Sequence, residues 1–451
     1  MMNSPKTVEH TEAGQIRPQK DKQTLNKSAE LPWEAPGKFR TVPGHAGELR
    51  AKRPVGWNAK NDVEATAIWL AEKGGGNTNT AQAYRKESER FIFWLADQGM
   101  TISDATRMDY LRYARFLLDP KPAKKWCSGR VLPRDNPSWK PFVKALSPNT
   151  ARQSLSVVKS LITYLNDKGW LTANPMPDMK NLIQVPKVER SEEIENRQIP
   201  AHLIRKLDNF VENWTPGLSA REQSVISKEI KKGRKTPEGD TIRRRVAISI
   251  ARMRVIYALS ITLGARSSDL LGARLNHFEE VRSGDNLNVV WRIPAGKGNK
   301  AATLPVPASI ALKIKELRVA MGLPAKFDRN EPPYPLLVNT KSLQDKTVSV
   351  PTTSLHRSQL FKLVKGLLKD FADTLRADGD QEDADLMERA SHHWLRHTAI
   401  KKITDSTKDL TVAQKLARHS NINTTAGYAV ATTQELADAL KEIEENQGDK
   451  K

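Results

Sequence analysis

The chain has 451 residues, with 73 Lys and Arg against 52 Asp and Glu, and a net charge of +21 at pH 7. Its 38% hydrophobic residues and mean hydropathy of −0.58 allow two or three domains with real cores and polar segments outside them. One cysteine, Cys127, excludes an internal disulfide and a multi-cysteine zinc site; no uninterrupted apolar run approaches the roughly 20 residues of a bilayer span; and the positive excess points to nucleic acid before a membrane surface.

Residues 1–60 carry 11 basic and 6 acidic side chains, scattered Pro and Gly, and no sustained apolar period, which reads as a flexible, disordered basic arm. Its aromatics Trp33, Phe39 and Trp57 either dock locally or order on a polyanion. From 61 the pattern turns helical, over 61–73, 78–98, 106–118 and 149–167, with Phe91, Trp94 and Leu95 and then Leu155, Val158, Leu161 and Leu165 at helical spacing. A small helical domain is expected over 61–175, interrupted at 119–146 by an inserted loop rich in Pro, Lys, Arg and Trp. In that loop Lys121, Lys124, Lys125, Arg130 and Arg134 either follow a phosphate backbone or form a solvated face.

A linker is expected over 176–199, where Pro and charge are dense. Helical patterns at 201–213 and 241–263 then flank a basic block containing Arg243 and Arg244. The runs 286–294 and 301–307 read as a β-hairpin around the turn AGKGNK, and helices resume at 308–320, 355–377, 395–404 and 411–418. The expected fold is therefore mainly α with a small β-hairpin or sheet, an α+β domain over 200–430 following the helical one. The tail 431–451 places Leu436, Leu440 and Ile443 on one face of a short helix, to dock in cis or on a neighbouring protomer.

Four segments occur in a telling order: LGARSSDLLGARLNHF (263–278), AGKGNKAATLPVP (295–307), HWLRHT (393–398) and LARHSNINTTAGY (416–428). Together they resemble the tyrosine recombinase family, of the phage integrase, Cre and Xer type, over about 200 residues. The resemblance implies a two-domain, C-shaped DNA clamp, with the helical segment as the core-binding domain and 200–430 as the catalytic domain. It also implies a nucleophile at Tyr428 that forms a 3′-phosphotyrosyl link, an arginine clamp at Arg266 and Arg396, a general acid at Lys297, and His393 and His419 around the phosphate. Asp269 would support them. Lys300 shares the Lys297 turn and is a candidate DNA contact, as are Lys124, Lys125, Arg130, Arg243 and Arg244.

The residue types suit that chemistry. A phosphodiester is anionic, so charge building on its non-bridging oxygens must be neutralised, and the planar, always protonated arginine fork grips two oxygens at once. A covalent tyrosyl intermediate splits the exchange into two reversible steps, histidine titrates near neutral pH and can take the phenolic proton, and lysine can protonate the leaving 5′-hydroxyl. Of the adjacent His392 and His393, only His393 stands three before Arg396. No metal or nucleotide cofactor is implied, because the phosphotyrosine keeps the bond energy; no G-x-x-x-x-G-K-[ST] loop occurs.

Two positions depart from the family's pattern: Ala265, where a larger apolar residue is usual, and Arg418, where glycine usually precedes the histidine. The implied partners are double-stranded DNA bearing specific sites, a homotetramer on that DNA and, in some members, an accessory protein; no membrane partner is expected. A bacterial or phage-encoded, cytoplasmic, nucleoid-associated protein of a mobile element follows as an expectation. The alternatives are a hairpin telomere resolvase or type IB topoisomerase, which share the nucleophile, and a non-catalytic DNA-binding protein of the same fold.

Overall fold

The computed structural model describes residues 28–34, 39–74, 78–184, 197–283, 286–295, 301–340, 343, 350–407, 409–419, 421–426 and 428. They fall into two compact units, within 1–187 and 188–451.

The N-terminal unit is built on α1 (Asp62–Gly74), α2 (Thr78–Asp97), α3 (Arg107–Leu118) and α5 (Pro148–Asp167), with short turns α4 (Ala123–Trp126) and α6 (Met179–Leu182) between and after them. The helix starts are specified locally. Asn61 Oδ1 accepts from the backbone of Val63 and Glu64, and Ser147 caps α5 ahead of Pro148, whose missing N–H costs nothing in a first turn. The apolar faces read from the sequence meet in one core containing Trp69, Phe91, Leu95, Tyr113, Leu155, Leu161 and Leu165.

Two expectations are corrected here. Described residues of the expected arm are folded onto this unit: β1 (Ser28–Glu30) pairs antiparallel with β2 (Thr41–Pro43), Phe39 stacks on Phe93 at 4.5 Å, and Trp57 lies 4.9 Å from Trp170. The aromatics that broke up the polar composition are thus the anchors; residues 1–27 and 35–38 lie outside the described set. The insert at 119–146 is likewise packed rather than a free loop. Trp126 and Phe142 are buried against Phe116, and Ser128 and Gly129 donate to the carbonyls of Phe142 and Val143.

The C-terminal unit is organised around a 27-residue helix. After α7 (Ala201–Asn213) and α8 (Ala220–Lys232), α9 (Pro237–Leu263) starts at a Thr236 cap and stops at Gly264, whose φ of 60° glycine adopts without strain. It passes a length and hydropathy test for a membrane span, but 67% of its apolar window is buried inside the unit, as befits a core helix. The short α10 (Ser267–Gly272) leads to β3 (Phe278–Ser283), β4 (Asn286–Ile293) and β5 (Ala302–Val306), an antiparallel sheet in that order. Phe278 is opposite Trp291, and Trp291 opposite Leu304, so the inward positions of all three strands join the core. The hairpin expectation holds for β4 and β5; β3, with charged Glu279, Glu280 and Arg282, gave no strand signal. The turn with Lys297 and Lys300 lies outside the described residues.

Helices α11 (Ala308–Met321), α12 (Arg357–Ala377), α13 (Gln381–Arg389), α14 (His392–Thr407), α15 (Leu410–Ala417) and α16 (Ile422–Ala426) complete the unit. α11 and α14 pack on α9, and α15 on α14, which carries the two C-terminal motifs to the end of α9. The basic block is helical and much of its charge is paired: Arg243 bonds Glu229 at 2.7 Å and Asp240 at 2.6 Å, Arg244 donates to the Met321 carbonyl, and Arg245 pairs with Glu222. The tail 431–451 lies outside the described residues.

Candidate active site

Helix ends supply the frame. α9 terminates at Gly264, and α14 crosses so close that a Cβ on Gly264 would sit 3.4 Å from Ile400 Cγ1. The next residues, Ala265 and Arg266, lead into α10, where the Asp269 carboxylate accepts from the Arg266 backbone N–H at 3.4 Å. From α14 comes Arg396, 6% exposed, which donates to the carbonyls of Gly264 and Ala417, the latter at 2.7 Å. Arg266 donates from Nη2 to the Arg418 carbonyl. These acceptors belong to the C-terminal ends of α9 and α15, where carbonyls lack helical partners and carry the negative end of the dipole.

The two guanidiniums are held by neutral carbonyls, with Asp269 the nearby carboxylate, so the pocket keeps a positive excess. Arg266 Nη1 is buried with no hydrogen-bond partner among the described residues, a donor that an anion would satisfy. Burial first, then the neighbouring positive charges of Arg266 and Arg418, brings Arg396 down to about 10. Burial also lowers Arg266, with Asp269 working against it and Arg418 adding to it. The two guanidiniums repel one another, a repulsion that a bound anion would relieve.

Tyr428 lies beside them, 5% exposed, packed on Ile400 and Ala417, with its N–H donating to the Thr425 carbonyl at 2.9 Å. Its hydroxyl is 2.5 Å from Nδ1 of His397, a residue the sequence reading passed over. His393, the expected proton acceptor, is exposed and one turn earlier on the same helix; its ring meets that of His397 edge to face at 4.2 Å. The spacing i, i+4 inside HWLRHT was the available signal, since such residues share a helix face. Burial chiefly, then His393 and Arg197, pushes His397 down to about 4, so its imidazole is neutral near pH 7 and can accept the phenolic hydrogen.

His419 stacks on Tyr428 at 6.0 Å between centroids, and its Nδ1 is 3.0 Å from Thr425 Oγ1. His392 turns to Ser260 of α9, 3.1 Å away, and burial lowers it to about 4; it takes no part in the cluster around Tyr428. The structure therefore brings together Arg266, Asp269, Arg396, His393, His419 and Tyr428, and adds His397 and Arg418. Lys297 and Lys300 fall among the residues it does not describe. Of the outlying candidates, Lys124 and Arg130 are exposed, Lys125 is paired with Asp97, and Arg134 grips the buried Glu89. No group of three His, Cys, Asp or Glu side chains is placed to hold a metal among the described residues.

Residues 240–435 match the sequence model of the phage integrase family. A tyrosine recombinase from Thermosipho africanus (strain TCF52B) is 22% identical over 381 residues, 84% of this chain and 99% of that protein. Among solved structures, the post-cleavage complex of the XerH site-specific recombinase with palindromic difH substrate superimposes with a TM-score of 0.52, at 15% identity and 86% coverage of each chain. The Tn1549 transposon integrase with transposon right-end DNA is similar over 83% of this chain and 98% of that one, at 12% identity and a TM-score of 0.48.

Proposed function

We propose, from the match of residues 240–435 to the phage integrase family model and the similarity to a tyrosine recombinase, that the chain is a tyrosine recombinase that cleaves and rejoins DNA by the following reaction at the cluster around Tyr428. The phenolic oxygen attacks the scissile phosphorus in line with the 5′-oxygen, the P–O5′ bond breaks, and the DNA 3′ end remains on the tyrosine as a phosphodiester. Arg266 and Arg396 bind the non-bridging oxygens while charge accumulates on them. The phenolic proton passes to His397, which lies at hydrogen-bond distance, with His393 as the neighbouring exposed imidazole. His419 contacts the phosphate, Asp269 steadies Arg266, and Lys297 protonates the leaving 5′-oxygen. Attack by a 5′-hydroxyl from a second duplex reverses the step and completes strand exchange, with no cofactor consumed.

The observation that carries this reading is the Tyr428 hydroxyl held by a neutral imidazole beside two arginines, one of which has an unused buried donor. The partner is DNA. Four protomers on two specific sites, an accessory protein, both units gripping the duplex as a clamp, and action on a mobile element inside the bacterial nucleoid belong to the same proposal. The charge is consistent with two binding bodies, at +7 over 61–190 and +12 over 191–430.

The test uses DNA selected for binding from a random pool, then nicked so that the cleaved strand loses a short fragment and rejoining is blocked. The full chain is expected to form a denaturant-stable adduct at Tyr428, and Tyr428→Phe none. An adduct with the Phe variant, or none with a wild type that binds the site, removes the assignment. Joining of two separate duplexes separates a recombinase from a resolvase or topoisomerase.

A further inference from the structure

Arg418 is the place where the sequence leaves the family's pattern beside the site, and its geometry is unusual. It is the one non-glycine residue with positive φ among the described residues, at φ 53° and ψ 46°, the left-handed conformation that closes α15. Glycine adopts that conformation freely, and an L-residue does not. The side chain does not escape to solvent either. It is 8% exposed, and its Nη1 is 2.7 Å from Oδ2 of Asp269, itself 7% exposed.

These contacts close a ring. The Arg266 side chain donates to the Arg418 carbonyl, the Arg418 side chain pairs with Asp269, and Asp269 accepts from the Arg266 backbone. One residue earlier, the Ala417 carbonyl takes Arg396. Two successive carbonyls at the end of α15 thus each hold one arginine of the proposed clamp. Glycine at 418 would keep the carbonyl and ease the backbone, but the side-chain tie from the end of α15 to Asp269 of α10 would be lost. Buried ion pairs are retained where they fix geometry, and a carboxylate among three guanidiniums has a clear charge role.

We propose that Arg418 is a positioning residue for the phosphate clamp: through its ion pair with Asp269 and its own carbonyl, it holds the Arg266 guanidinium so that the unpartnered Nη1 faces the scissile phosphate. This rests on the reading that Arg266 binds that phosphate. Arg418 does not touch the substrate. It also joins the clamp to the chain segment that ends in Tyr428, so the order of one depends on the docking of the other.

Single-turnover adduct formation by the full chain on the nicked site tests this, with Arg418→Gly, Arg418→Lys, Asp269→Asn and the Arg418→Gly/Asp269→Asn double variant. Misplacing one reacting group by about an ångström costs on the order of 100-fold, so Arg418→Gly is expected to slow cleavage by about 10- to 100-fold with DNA affinity unchanged. Arg418→Lys should recover most of the rate by restoring the ion pair. The double variant should be no slower than the worse single one, because both changes break one linkage. A scissile methylphosphonate, which removes the charge that the clamp neutralises, should shrink the losses of Arg418→Gly and Arg266→Ala together.

Wild-type cleavage by Arg418→Gly, fully additive losses in the double variant, or a loss that persists on the methylphosphonate while that of Arg266→Ala shrinks would each overturn the proposal. An adduct in wild type with no effect of Arg418→Gly sinks this inference alone; absence of a Tyr428-dependent adduct in wild type sinks the reading beneath it.

Discussion

The histidine three before Arg396 fits the family's spacing, yet the imidazole at the Tyr428 hydroxyl is the one a turn later. Burial keeps His397 uncharged well below pH 6, with its value near 4. Adduct formation is therefore expected to hold from pH 8 down to about 5 and to fall only towards pH 4, measured on the nicked site. A fall centred near 6.5, the ordinary histidine value, would transfer the proton-accepting role to another imidazole. His397→Ala is expected to slow cleavage by about 100-fold or more, within the range for a general base.

The same shifts bear on stability. His392 and His397 are depressed when folded, so the unfolded chain binds their protons more tightly. Their contribution is fully present above pH 6.5 and is lost as pH falls through about 4. The melting temperature of the C-terminal unit should accordingly drop between pH 7 and pH 4.5, and His392→Gln should flatten that slope in thermal melts.

At the scale of elements, the joints matter more than the helices they join. Asp62, at the start of α1, accepts from the Ser103 N–H and hydroxyl at 2.7 Å each, from Trp170 Nε1 at 2.8 Å and from Arg50 at 3.4 Å, while Arg50 lies over the Trp170 ring. It is 2% exposed. Asp62→Ala leaves those donors and the Arg50 charge unpaired, and is expected to cost the N-terminal unit about 3 kcal/mol or more in chemical denaturation. Nothing in the helical period marked that aspartate, because its partners come from segments up to 108 residues away. Gly264 is the corresponding joint in the other unit. Gly264→Ala is expected to cost about 1–2 kcal/mol and to slow cleavage, since the carbonyl that holds Arg396 sits on that residue.

For the molecule as a whole, the charge of +21 requires a finer reading than its total. Arg243 and Arg244 look like DNA contacts in a basic run, yet both are engaged within the C-terminal unit, whereas Lys124 and Arg130 of the other unit face solvent. Neutralising one phosphate contact changes the slope of log affinity against log salt by about 0.9. Lys124→Ala and Arg130→Ala are each expected to lower that slope by about one unit in salt titrations of DNA binding, and Arg243→Ala to lower stability more than slope. The reverse pattern would return the basic helix α8 and the start of α9 to the DNA interface.

The sequence by itself marked most of the longer helices, though not α8 or α13 with their dense charge, together with the β4–β5 pairing and the family motifs, because apolar period, caps and turn residues act over a few positions. It also marked Arg266, Arg396 and Tyr428 as belonging together, through motif order. Only the tertiary structure decided which imidazole meets the tyrosine, that described parts of the basic arm and the insert are anchored by aromatics, that charged β3 completes a sheet, and that Arg418 braces Arg266 across 152 residues of chain. Those outcomes depend on burial and on partners brought close by packing, for which neighbouring residues carry no signal.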